Sequence, residues 1–104
     1  MKVALTKFEG LKILNDKSFA DKRGYFREIL KENYFSKKNF VFWCISTSKK
    51  NVVRGLHTQR KKHQEKYVSV IKGKIFDVVV DLRKNSKTFG KKFSVVLSEK
   101  NSKS

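Results

Sequence analysis

Two histidines, His57 and His63, are the side chains of this sequence best suited to carrying protons, because imidazole gains and loses one near neutral pH. His57 lies in the string Val52-Val53-Arg54-Gly55-Leu56-His57-Thr58-Gln59. In an extended backbone His57 shares a face with Val53 and Gly55, while Arg54 faces the other way. Gly55 sits between them, where a bulge would turn both side chains into one pocket. Pattern alone leaves His57 open between a general base and a structural or solvent-exposed imidazole. His63, inside Arg60-Lys61-Lys62-His63-Gln64-Glu65-Lys66, reads as part of a solvated loop. No metal site is expected, since Gln59 occupies the place that would complete a His-x-His pair. The five glycines, at 10, 24, 55, 73 and 90, are scattered and form no phosphate loop. Cys44, within Phe42-Trp43-Cys44-Ile45, reads as a core thiol; as the lone cysteine it excludes a disulfide within the chain and fits a reducing, cytoplasmic compartment.

The elements that must position these residues are strands. Phe93, Val95 and Leu97 alternate with Lys92, Ser94 and Val96, as a half-buried strand does. Lys74 to Leu82 is apolar after Lys74 apart from Asp77 and Asp81 and rich in β-branched residues, which predicts a strand covered on both sides. Val68 to Ile71 predicts a strand before it, joined by a tight Lys72-Gly73 turn. Phe40 to Ser46 and Val52 to Leu56 predict two more, linked by the polar stretch from Thr47 to Asn51. Further turn signals stand at Asn15-Asp16-Lys17, Lys84-Asn85-Ser86 and Gly90. Only Arg27 to Phe35 offers a short helix. The fold class is therefore all-β, a jelly roll or barrel.

At 104 residues the chain has room for one domain, and 38 % hydrophobic with 12 % aromatic content suffices for a core. No purely apolar run approaches the length of a membrane span, the longest being Phe40 to Ile45, and no signal peptide is evident near the N-terminus. The formal net charge of +17 invites a nucleic-acid reading, yet 21 of the 26 basic residues are Lys and only five are Arg. Base-edge recognition favours the Arg fork, and the lysines are spread along the whole chain. A lysine-rich surface coat with no specific nucleic-acid partner is expected.

Six strings occur together and in order: Asp21-Lys22-Arg23-Gly24-Tyr25-Phe26-Arg27-Glu28, Val53-Arg54-Gly55-Leu56-His57-Thr58-Gln59, Gln64-Glu65-Lys66-Tyr67-Val68, Asp77-Val78-Val79-Val80-Asp81-Leu82-Arg83, Ser86-Lys87-Thr88-Phe89-Gly90 and Leu97-Ser98-Glu99-Lys100-Asn101. From about Phe8 to Asn101 the chain resembles the dTDP-4-dehydrorhamnose 3,5-epimerases, isomerases built on a cupin-type jelly roll. The resemblance implies no cofactor, no metal and a dTDP-linked 4-keto-6-deoxy sugar as substrate, in a cytoplasmic and typically homodimeric protein. It implies His57 as the base, Lys66 near the developing enolate or the bound sugar, Arg54 holding substrate, and Arg23 and Glu28 touching the nucleotide.

Two departures accompany it. Where the family tends to carry a Gln and an Asn that contact substrate, this chain has Phe42 and Cys44, which leaves room for a related epimerase acting only at C3. The family also continues past the Leu-Ser-x-x-Asn string to a second His, a Tyr acid and an Asp partner for the catalytic His. Residues 1–104 therefore read as the N-terminal part of a single epimerase domain, truncated, with a non-catalytic remnant as the alternative.

Overall fold

A computed structural model describes residues 2–35 and 39–104. The chain divides into two compact units, Met1–Ile29 with Glu65–Ser104, and Leu30–Gln64. The first carries every strand.

In that unit three antiparallel pairs form between neighbouring pieces of chain. β1 (Lys2–Leu5) pairs with β2 (Lys12–Asn15), Val3 opposite Leu14 and Ala4 opposite Ile13. The loop between them is stapled by Thr6, whose Oγ1 accepts the Phe8 N–H (3.1 Å) and donates to the Leu11 carbonyl (2.9 Å). β3 (Ser18–Asp21) pairs with β4 (Gly24–Arg27) across the two-residue turn Lys22-Arg23. Gly24 follows that turn at φ +135°, a backbone conformation that residues with a side chain rarely adopt. β5 (Lys74–Val80) pairs with β6 (Lys92–Ser98) over seven residue pairs, from Lys74 opposite Ser98 to Val80 opposite Lys92. Residues 102–104 then run antiparallel beside β2, with Leu14 and Ser104 exchanging both backbone hydrogen bonds (2.8 and 2.9 Å).

The buried apolar side chains are Phe8, Leu14, Val70 and Leu97. Phe8 (3 % exposed) meets the ring of Phe93 on β6 at 6.2 Å between centroids and 58° between planes, so the β1–β2 loop packs on the β5–β6 ladder.

The expected alternation holds along β6, where Phe93, Val95 and Leu97 are the covered face. Other expectations are corrected. β5 ends at Val80, and it is not covered on both sides, since Ile75 and Phe76 are exposed. Val68–Ile71 forms no ladder and makes no hairpin with β5; its Val70 carbonyl is taken instead by the Arg27 guanidinium (3.0 Å). Arg27 to Phe35 is not a helix: Arg27 ends β4, and only a single 3-10 turn, Glu32–Phe35, follows. The β1–β2 and β3–β4 hairpins lie where no strands were predicted.

The second unit has no strand among its described residues, so Phe40 to Ser46 and Val52 to Leu56 are not the predicted pair. Their β-favouring side chains lack a partner edge, and an extended segment without one gains no ladder hydrogen bonds. Val41 (90 %) and Val53 (89 %) are almost fully exposed, as are most of Phe42, Trp43, Ile45 and Leu56. Cys44 is exposed rather than in the core.

The loop between β5 and β6 is organised by one carboxylate. Asp81, buried, receives the backbone N–H of Arg83 and its Nε on Oδ1 (3.0 and 2.9 Å), and Arg83 Nη2, Ser86 Oγ and Thr88 Oγ1 on Oδ2 (2.9, 2.6 and 2.6 Å). The Arg83 guanidinium, then the two hydroxyls, hold this carboxyl far below the usual carboxylate range, against the opposing effect of its burial. It stays charged in the fold at pH values where an unfolded aspartate, near its ordinary pKa of about 4, takes up a proton. Its stabilising contribution is therefore complete above that value and lost as pH falls below it. Urea denaturation midpoints are expected to drop between pH 7 and pH 3, and Asp81→Asn should lower the midpoint at pH 7 and flatten the acid dependence. An unchanged slope in Asp81→Asn would assign the acid sensitivity to other carboxylates.

Candidate active site

Each predicted site residue can be located within its own unit. In the second unit, Arg54 and His57 flank Gly55. The Arg54 side chain is fixed by donating Nε to Ser48 Oγ (2.8 Å) and Nη2 to the Thr47 carbonyl (3.1 Å). These bonds orient the guanidinium, which keeps other N–H groups for an anion or a sugar oxygen. Gly55 adopts φ +92°, and a Cβ there would lie 3.1 Å from the His57 backbone nitrogen and 3.6 Å from its Nδ1. The imidazole thus folds back over a position that only glycine suits. This is not a strand bulge, since no ladder exists at residues 52–56; the local feature there is Gly55 at φ +92°. His57 is open to solvent and so accessible to a ligand, and His63 is exposed in its charged stretch as expected.

In the first unit, Arg23 stands at the tip of the β3–β4 hairpin, its side chain 88 % exposed. It binds Asp21 through Nε and Nη2 (3.1 and 2.6 Å to Oδ2), and this guanidinium lowers the Asp21 carboxyl below its ordinary range. Beside it Phe19, Ala20, Tyr25 and Phe26 line an open hollow of about 490 Å³. Glu28 follows β4, half-buried, with its backbone N–H on the Lys17 carbonyl (2.9 Å). Lys66 is exposed, next to the half-buried Tyr67, whose hydroxyl donates to the Ile29 carbonyl. Burial raises the Tyr67 phenol above its ordinary value, which keeps it a neutral donor.

A buried ion pair joins two residues that no sequence motif marked as a pair. Arg27 and Asp16 have side chains 5 % and 0 % exposed and meet at 2.7 Å. Asp16 Oδ2 accepts from Arg27 Nε, Arg27 Nη2 and Ser104 Oγ, while Oδ1 has no hydrogen-bond partner among the described residues. Arg27 also reaches the Val70 carbonyl, Ser69 Oγ and the Lys103 carbonyl (3.0, 3.1 and 3.3 Å). The available signals were an Asp in the turn Asn15-Asp16-Lys17 and an Arg directly after Tyr25-Phe26, separated by 11 positions.

Among the described residues no three His, Cys, Asp or Glu side chains gather as metal ligands would, and no helix is long and apolar enough to cross a membrane.

Residues 5–104 match the family model described as dTDP-4-dehydrorhamnose 3,5-epimerase. The chain belongs to the dTDP-4-dehydrorhamnose 3,5-epimerase family. It is 46 % identical over 100 residues to the enzyme of that name from Methanothermobacter thermautotrophicus, covering 92 % of this chain and 54 % of the relative. It is 42 % identical over 107 residues to the Escherichia coli enzyme, covering 97 % and 58 %. The structure also resembles a crystal structure of dTDP-6-deoxy-D-glucose-3,5-epimerase from Legionella pneumophila in complex with dTDP-4-keto-L-rhamnose. That likeness has a TM-score of 0.91 and 38 % identity, and covers 98 % of this chain and 57 % of that one. The fold is accordingly that of the cupin-type jelly-roll epimerases, and the chain spans about half the length of the curated relatives it matches.

Proposed function

We propose that this chain carries the proton-abstracting and substrate-holding part of a 3,5-epimerase for a dTDP-linked 4-keto-6-deoxy-D-glucose, giving dTDP-4-dehydro-L-rhamnose. The observation that carries this reading is the near-complete coverage of the chain by a solved epimerase, at 38 % identity, whose complex holds dTDP-4-keto-L-rhamnose. The C3 and C5 hydrogens of such a sugar are acidic because each is α to the C4 ketone. His57 takes the proton, the C–H electron pair moves into an enolate, and Lys66 stabilises the negative oxygen. An acid then returns a proton to the opposite face, inverting the centre. Arg54 holds the substrate through charge-assisted hydrogen bonds, and Arg23 and Glu28 contact the nucleotide. No cofactor or metal has a role in this chemistry. A homodimer acting in the cytoplasm completes the proposal, on the strength of the family resemblance and the single cysteine.

Phe42 and Cys44, which cannot form the hydrogen bonds of an amide pair, favour a second reading, an epimerase acting only at C3. Incubating the chain with dTDP-4-keto-6-deoxyglucose in D₂O, alone and fused to the remaining length of the Escherichia coli relative, separates the readings. Deuterium at both C3 and C5 supports the 3,5-epimerase, and deuterium at C3 only supports the second reading. No exchange in either protein overturns both and leaves a non-catalytic remnant.

A further inference from the structure

We propose that Arg27 is a positioning residue that holds Lys66 in register with Glu28, so that two proposed substrate contacts from separate stretches of chain present one fixed spacing. This rests on the assignment of Lys66 and Glu28 as substrate contacts.

Residues 65–70 run without a ladder partner, so backbone pairing does not set their position. Side-chain tethers hold it. Tyr67 donates its hydroxyl to the carbonyl of Ile29, the residue after Glu28. Arg27, the residue before Glu28, donates Nη1 to the Val70 carbonyl and Nη2 to Ser69 Oγ. The tethers thus bracket Glu28 on one stretch and meet the other on the C-terminal side of Lys66. Along 66–69 the side chains alternate, Lys66 and Val68 exposed, Tyr67 and Ser69 turned inward to their tethers. Fixing 67 and 69 therefore points 66 outward.

The guanidinium is itself immobilised. Asp16 Oδ2 takes Nε and Nη2, and Ser104 Oγ, which also donates to Asp16, accepts from Nη2 (3.1 Å). The planar fork serves this set with Nη1 on Val70, Nε on Asp16 and Nη2 sharing its two hydrogens among Asp16, Ser69, Ser104 and Lys103; an ammonium on a flexible stem has no such spread of donors.

The test compares wild type with Arg27→Lys and with the double variant Asp16→Asn/Arg27→Met, which removes both buried charges and so avoids leaving one unpaired. Nuclear Overhauser contacts between residues 65–70 and residues 27–29 should weaken in both, while those across β5 and β6 persist and certify the fold. Affinity for dTDP-glucose, a stable probe, should fall about tenfold to a hundredfold, as small misplacements of binding groups do. Adding Lys66→Ala to Arg27→Lys should cost less than Lys66→Ala costs in wild type; a role in stability alone gives additive losses. Retained 65–70 contacts, or additive losses, overturn the proposal. If Lys66→Ala and Glu28→Gln leave dTDP-glucose affinity unchanged, the functional assignment fails instead, and the contact measurement still decides whether Arg27 sets the register.

Discussion

Replacing His57 with alanine is expected to slow deuterium uptake at C3 and C5 of the 4-keto sugar by about 10²- to 10⁴-fold, the range spanned by loss of a positioned general base. The effect should fall on kcat, with KM little changed, because the imidazole acts on the proton in flight and Arg54, Arg23 and Glu28 are left to hold the substrate. His57→Gln, which keeps a polar group of similar size but cannot take a proton, should be as slow as His57→Ala. The measurement is proton NMR of the sugar in D₂O, run on whichever chain length exchanges. Exchange within about threefold of wild type in His57→Ala would remove His57 as the base. His63→Ala is the companion control, since His63 sits exposed in a charged stretch and should leave exchange unchanged.

Phe8→Ala is expected to cost about 3–5 kcal/mol, the usual loss for a buried phenylalanine. Few residues share the load in this chain: only Phe8, Leu14, Val70 and Leu97 are buried apolar side chains among the described residues. A loss of that size approaches the whole stability of a small domain, typically about 5–15 kcal/mol. Urea unfolding should show a midpoint displaced to near zero denaturant, with the near-ultraviolet signal of the aromatic rings diminished. Phe8→Leu, which preserves most of the volume, should lose less than about 1.5 kcal/mol. A Phe8→Ala chain within about 1 kcal/mol of wild type would show that the Phe8–Phe93 contact does not anchor the first loop to β6.

Legibility differed element by element. β6 was readable because its partner strand is near in sequence and one face is covered, so alternation of Phe93, Val95 and Leu97 with the more exposed Lys92, Ser94 and Val96 survives into the fold. β1 to β4 are four residues each, too short for a period to emerge; only the turn signal at Asn15-Asp16-Lys17, between β2 and β3, marks a reversal there. Phe40–Ser46 and Val52–Leu56 failed in the opposite way. Their composition favours strands, but propensity measures fit to a pleated, half-buried surface, and here no edge is paired with them.

The candidate site divides similarly. His57 could be named from residue type, and Arg54, Lys66, Arg23 and Glu28 through the family resemblance that the ordered motifs carry, since motifs are local properties of the chain. How they are held could not. That Gly55 at φ +92° lets His57 fold back is a backbone conformation, and the tethering of Ser69 and Val70 to Arg27, 42 and 43 residues away, is a long-range contact. By itself the sequence determined the all-β class, the β6 face, the family and the residues offered for proton transfer and substrate contact. Tertiary structure alone decided which apolar segments found a partner edge and that Asp16 and Arg27 would be buried together. Burial and pairing depend on what the rest of the chain brings alongside a segment, and no local pattern encodes that.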